Sequence, residues 1–242
     1  MRVLITRSAQ GLGHATASNL LDAGAEVVVH VREHARLGAV ASLVERGARV
    51  VIGHLADLDQ VRHIAGQVND LGRMDAVIHN AGVYSGAQVM PVNVVAPYVL
   101  TATLSRPDRL VFLSSGMHRG GRPELDRIDW SGRRPSGSYS DSKLLVTALA
   151  LAVARLWPDV LSNAVDPGWV PTRMGGPSAP DDLRLGHLTQ KWLVTSDDAS
   201  ARTSGGYWHH QRRTDPHPSA MDGPFQSRLL ASLADFTSVA LR

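Results

Sequence analysis

Arg2-Val3-Leu4-Ile5-Thr6-Arg7-Ser8-Ala9-Gln10-Gly11-Leu12-Gly13 carries three signals in succession: an apolar run, a turn holding two glycines, and the start of a segment of helical period. A short apolar run reads as a strand covered on both faces. Glycine belongs where backbone must approach a phosphate or pack closely on a helix. A helix that starts there offers free N–H groups and the positive end of its dipole to a pyrophosphate. An ordinary strand–helix turn shows the same residues, so the rest of the chain has to decide.

Working outward, the strand–helix alternation continues. Arg2–Thr6, Glu26–Val31, Arg49–Gly53, Met74–His79, Arg109–Ser114 and Val160–Val165 read as strands, rich in Val, Ile and Leu. Helices are predicted over Leu12–Ala23, Glu33–Arg46, Leu58–Leu71, Val92–Leu104 and Ser140–Trp157. Past residue 170 an irregular Gly/Pro-rich loop precedes a helix near Asp181–Thr195, a short strand at 205–209 and a terminal helix at Phe225–Ala234. Such alternation predicts a doubly wound α/β (Rossmann) fold, with a mostly parallel sheet and helices on both faces. No linker or repeat divides residues 1–242, so a single domain is expected. Ligands bind such sheets at the carboxyl ends of the strands.

Composition narrows the function classes. The chain has no cysteine, which excludes disulfides, a thiolate nucleophile and Cys-based metal sites. The opening residues read as a strand rather than a signal peptide, and no apolar run approaches the roughly 20 residues of a membrane span. The expected location is the cytoplasm, with no membrane partner. The net charge of +3 is spread along the chain without a basic block, so no nucleic-acid partner is expected. His209, His210 and His217 lack the spacing and the carboxylates of a metal site, and no metal is expected.

The strongest chemical signal is Tyr139-Ser140-Asp141-Ser142-Lys143. A spacing of four puts phenol and amine on one helix face. Reduction of a carbonyl needs a proton donor, and a nearby ammonium brings a phenol of ordinary pKa about 10 toward the neutral range. In chain order it joins His79-Asn80-Ala81-Gly82, Asn93 in Val92-Asn93-Val94-Val95-Ala96-Pro97, Ser114-Ser115, and Asp166-Pro167-Gly168-Trp169-Val170-Pro171-Thr172.

Taken jointly, these motifs resemble those of the short-chain dehydrogenase/reductase family over nearly the whole chain. The long Gly116–Ser138 insert and Ser114-Ser115-Gly116-Met117-His118 resemble its retinol-dehydrogenase-like branch. The resemblance implies a catalytic tetrad of Asn93, Ser115, Tyr139 and Lys143. Ser115 would polarise the carbonyl, Tyr139 would donate the proton, Lys143 would lower its pKa and Asn93 would hold a relay water. Ser114 is the rival for Ser115. The implied cofactor residues are Thr6, Arg7, Ser8, Gly11, Leu12 and Gly13 in the turn, Leu55 after the third strand, and Asn80, Ala81 and Gly82 on the adenosine side. Tyr139, Lys143, Pro167, Gly168, Val170 and Thr172 complete the set. Arg7 stands where the family has its first glycine, His54 where it has an adenine-contacting Asp, and His79 where it has a first Asn. Asp57 is the alternative adenine contact.

The second strand ends in Arg32 rather than in an acid, and Arg7 adds a second cation. Arginine there favours a 2′-phosphate, so NADPH is expected over NADH. A solvated helix face would also explain Arg32. The expected reaction is hydride transfer between NADP(H) and a carbonyl or alcohol. The alternatives are a dinucleotide-binding regulatory module without catalysis, or an epimerase or dehydratase on the same fold. A homodimer or homotetramer fits the resemblance. Arginines of the 116–138 insert read as a solvated loop or as an anion site, His118 as a loop cap or a substrate contact, and Trp169 as a pocket wall.

Overall fold

The computed structural model describes residues 1–241. Six parallel strands form the centre of one sheet: β1 (Arg2–Ile5), β2 (Glu26–Val31), β3 (Arg49–Ile52), β4 (Ala76–His79), β5 (Arg109–Leu113) and β6 (Leu161–Asp166). β7 (Tyr207–His209) extends it in parallel and β8 (Arg212–Thr214) closes the edge antiparallel, in the order β3-β2-β1-β4-β5-β6-β7-β8. The helices are α1 (Gly11–Asp22), α2 (Ala41–Glu45), α3 (Leu58–Asp70), α4 (Ala96–Thr103), α5 (Tyr139–Leu156), α6 (Leu183–Thr195), α7 (Pro218–Met221) and α8 (Gly223–Thr237).

The unbroken apolar strands follow from burial on both faces. Val3 and Ile5 pack with Ala17 and Leu20 of α1 and with Leu193 and Val194 of α6, while Leu4 between them joins Ile64, Tyr98 and Leu149 of α3, α4 and α5. α1 ends where its carbonyls meet the next turn: Gly24, at φ +78°, donates to Leu21 O at 2.9 Å and Ala25 donates to Leu20 O at 3.0 Å. Glycine is favoured there because only it takes this left-handed backbone without strain.

The largest departure from expectation is the segment predicted as a helix over Glu33–Arg46. It is a 3-10 helix over His34–Val40 followed by the five-residue α2. Of these residues only Val40 and Leu43 are buried, too little packing to hold a longer α-helix. The helix expected from Val92 begins as a π-helical turn over Pro91–Val95 and becomes α4 at Ala96. Pro97 has no N–H to return to the Asn93 carbonyl, so a regular α ladder is broken there. β8 and α7 lack any distinctive pattern in sequence, and α8 runs longer than expected at both ends.

Candidate active site

The strand order reverses between β1 and β4, and their carboxyl ends define the crevice where such folds bind ligands. Side chains lace the two loops together. Asn80 Nδ2 donates to Thr6 O at 2.9 Å and to Arg7 O at 3.2 Å, and Ala81 N donates to Thr6 Oγ1 at 2.9 Å. The Arg7 guanidinium donates to Gly82 O. A Cβ on Gly13 would lie 2.5 Å from Asn80 Nδ2 and 2.7 Å from Arg7 O, so no side chain fits there. Ser8 is buried and its hydroxyl donates to Ile5 O at 2.6 Å, which shapes the turn.

Arg7 takes φ +55° where glycine would be free of strain. Its N–H donates to His30 Nδ1 at 3.0 Å, and the opposite ring nitrogen, Nε2, lies 2.8 Å from Gly53 O. An acceptor at Nδ1 leaves the proton on Nε2, so His30 is neutral and clips β1, β2 and β3 together. Burial pushes its pKa down to about 4. Sequence reasoning passed over His30, although a histidine inside a Val-rich strand is itself a signal of a buried polar contact.

Arg7, Arg32, Arg36 and Arg173 stand near one another at this end of the sheet. Burial first, then these three cations, pulls the Arg7 pKa below its usual value. Glu33 bonds Arg32 at 2.6 Å and lies 3.9 Å from Arg36. Neither Arg7 nor Arg173 has a carboxylate partner among the described residues. Asp57 is not free to meet adenine: it is the N-cap of α3 and accepts from Asp59 N and Gln60 N. That cap leaves His54 at the strand end. Leu55 is buried against the α3 and α4 side of the sheet, so any contact it makes with a ligand is through its backbone.

The four tetrad positions converge at the carboxyl edge beside β4 and β5. A Cβ on Gly82 would lie 3.5 Å from Lys143 Nζ and 3.6 Å from Asn93 Oδ1. Asn93 is buried in the π-turn, its amide paired with Val83 N at 2.8 Å and Val83 O at 3.0 Å, and it donates to Ser142 Oγ at 2.9 Å. Such single π-turns concentrate at functional sites. Tyr139 is the first residue of α5, whose Ser138 and Asp141 form a capping box. Lys143 Nζ lies 5.4 Å from the Tyr139 ring centroid and donates to Leu113 O at 2.7 Å. Burial lowers the Lys143 pKa to about 8, against an opposing pull from Asp166. Burial raises Tyr139 to about 12, with the Ser115 hydroxyl facing the phenol and drawing it down and Asp166 and Tyr84 adding to the rise.

The two serines have different partners. Ser114 Oγ is 2.7 Å from Thr147 Oγ1 and is buried against α5, whereas Ser115 faces Tyr139. His118 has both ring nitrogens occupied, Nδ1 2.8 Å from Ser115 O and Nε2 accepting from His217 N at 2.9 Å. The substrate-contact reading of His118 is therefore replaced by a bracing role under Ser115. Arg119 donates to Asp215 O, and Arg122 lies 3.8 Å from Asp141 with most of its side chain exposed. Asp166, which the sequence places at the head of the 166–172 motif without a role of its own, ends β6 beside His209 at 3.5 Å and faces the Tyr207 hydroxyl.

The loop after β6 folds over the glycine turn. A Cβ on Gly11 would meet Thr172 Cγ2 at 3.3 Å, and one on Gly186 would meet Val170, Pro167 O and Leu12 within 3.1 Å. Gly168 takes φ +82° and its N–H donates to Asp166 at 3.0 Å. Trp192 and Trp208 pair edge to face at 5.2 Å against the sheet, while Trp169 is exposed. Among the described residues no group of three His, Asp or Glu side chains is placed to hold a metal, and no helix is long and apolar enough to cross a membrane.

A parallel sheet with this strand order, a glycine turn at the reversal point and a Tyr/Lys pair on α5 define a Rossmann-fold oxidoreductase class. Comparison with known proteins makes the assignment specific. The short chain dehydrogenase family profile matches residues 1–116. An uncharacterized oxidoreductase of Emericella nidulans is 32% identical over 100% of this chain and 98% of its own length. The short-chain dehydrogenase chry4 of Gibberella zeae is 31% identical over 99% and 98%. Human retinol dehydrogenase 13 is a more distant relative, 26% identical over 96% of this chain and 83% of its own. The chain belongs to the short-chain dehydrogenase family and has retinol dehydrogenases among its relatives. A solved Mycobacterium paratuberculosis protein shares the fold with a TM-score of 0.81 at 24% identity, covering 100% of this chain and 94% of that one. A short chain dehydrogenase of Shigella flexneri, solved with NADP, has a TM-score of 0.69 at 23% identity over 87% and 97%.

Proposed function

We propose that residues 1–242 form one NADP-binding unit that reduces a ketone or aldehyde, with Tyr139 as the proton donor. The observation that carries this reading is a chain of neighbours: Asn93 and Lys143 meet at Gly82, Lys143 lies beside the Tyr139 ring, and the Ser115 hydroxyl faces the phenol. The chain fits the cofactor. The Gly11–Gly13 turn opens α1, and Arg7 and Arg173 bring cations without carboxylate partners, as a 2′-phosphate or pyrophosphate requires. The NADP-bound Shigella flexneri relative in fold supports the same choice.

NADPH, when bound, supplies the hydride. Ser115 hydrogen-bonds the carbonyl oxygen and Tyr139 passes it a proton. A phenol held at about 12 stays protonated at neutral pH, the state reduction needs. Lys143, near 8, exchanges protons close to neutrality and restores the phenol. The Asn93 segment holds the relay water. Thr6, Ser8, Leu12, Asn80 and Ala81 shape the crevice, and Pro167, Gly168, Val170 and Thr172 close over it.

Titration of the protein with NADPH and NADH, followed by cofactor fluorescence, tests the cofactor. NADPH is expected to bind at least tenfold tighter, and Arg32→Ala to erase most of that preference. Tyr139→Phe is expected to lower kcat by about 10²–10⁴-fold with NADPH affinity within a factor of about two. Absence of binding by either dinucleotide overturns the reading.

A further inference from the structure

Large apolar side chains are exposed at few places, and single ones carry no message. Here Tyr84, Met117, Trp169 and Met174 are all exposed, and all lie in the segments that follow β4, β5 and β6, Met117 on a short 3-10 turn and the others on loops, at the edge that carries the predicted tetrad. The remaining exposed ones sit on helices or at the chain terminus. Tyr84 is the informative member. Its ring centroid is 5.0 Å from that of Tyr139, tilted by 41°, yet 54% of the residue is exposed. Trp169 has its indole N–H tied to Gly175 O at 2.8 Å, yet the residue is 58% exposed. Tyr84 is therefore an exposed aromatic surface next to the phenol that would meet a carbonyl oxygen.

We propose that Tyr84 is the binding platform for the substrate's carbon skeleton, and that this skeleton is a flat aromatic ring system bearing the carbonyl. Aromatic rings prefer offset or tilted contacts with centroids about 4.5–7 Å apart, and a tyrosine held beside the proton donor offers one face for such a contact. A charged acyl chain would gain little from it, and a saturated ring would gain contact area without the aromatic pairing. The inference rests on the carbonyl-reductase reading of the same site.

The test uses 1-tetralone and 1-decalone, which share a carbon skeleton and differ in one aromatic ring, with NADPH as reductant. The readout is the tetralone-to-decalone ratio of kcat/KM in wild type and variants, which cancels the ketones' intrinsic reactivities. Tyr84→Ala is expected to lower that ratio about tenfold, mainly through KM, and Tyr84→Phe to keep it. An unchanged ratio, with both ketones still reduced in a Tyr139-dependent way, overturns the aromatic platform and leaves the reductase standing. Binding of 2-naphthol to the protein with NADP, read by fluorescence anisotropy, separates the remaining case. If neither ketone turns over but naphthol binds and Tyr84→Ala releases it, Tyr84 is an aromatic-binding platform, and its assignment to a carbonyl substrate falls with the reductase reading. If naphthol binding is indifferent to Tyr84, the platform falls.

Discussion

Arg7 concentrates two opposing effects in one residue. Its backbone occupies the left-handed region, which costs a non-glycine residue roughly 1–2 kcal/mol. Its guanidinium is partly buried among other cations, and burial pulls its pKa down. Both costs are explained if an anionic ligand completes the cluster. Arg7→Gly is therefore expected to stabilise the free protein by about 1 kcal/mol while weakening NADPH binding about tenfold and NADH binding much less. Thermal melts with and without each dinucleotide check both halves. A variant that melts lower and binds NADPH unchanged contradicts the assignment. At this scale the turn glycines and the Tyr139/Lys143 pair were legible in sequence. The partner of Arg7 was not, because His30 lies 23 residues away and meets it only across paired strands.

At the scale of elements, α5 links stability to chemistry. The capping box of Ser138 and Asp141 fixes the first turn, where Tyr139 sits, and places the phenol against Ser115. Ser138→Ala is expected to cost about 1 kcal/mol, a drop of about 2–4 °C in Tm for a chain of this size. The same change is expected to reduce kcat more than it alters KM, because the frayed turn carries Tyr139, the proposed proton donor, and leaves the glycine turn of the dinucleotide crevice in place. Equal effects on kcat and KM would place Ser138 outside the reaction. Strands β1 to β6 were legible because both faces are covered, which leaves no polar alternation. The segment after β2 was misread because apolar spacing without enough buried contact does not sustain an α-helix. The π-turn at Asn93 was hidden for a related reason: a local widening leaves the helical period almost unchanged.

Across the whole molecule, two histidines are buried neutral beneath the site. Burial holds His30 at about 4 and His79 at about 3. The unfolded chain protonates both near pH 6.5, before the folded protein does. Their contribution is fully present above that pH and is lost as pH falls toward 4 for His30 and 3 for His79. For His30 the loss is roughly 3 kcal/mol at most. Denaturant melts between pH 7.5 and 4 are expected to show stability falling steeply below 6.5, and His79→Leu to flatten part of that slope. A flat profile would mean that water reaches these rings in the folded state. The sheet explains why acid damage and loss of function should coincide, since His30 joins the glycine turn to β2 and β3.

Sequence alone determined the alternation of strands and helices, the glycine turn, the chain order of the site motifs and the family. Each of these is written in local spacing and burial pattern. Tertiary structure alone decided that Ser115 and not Ser114 faces Tyr139, that His118 braces the Ser115 loop against His217 and that Tyr84 stands exposed beside Tyr139. Those outcomes depend on which neighbour a side chain meets across the sheet, and such neighbours come from segments tens of residues apart.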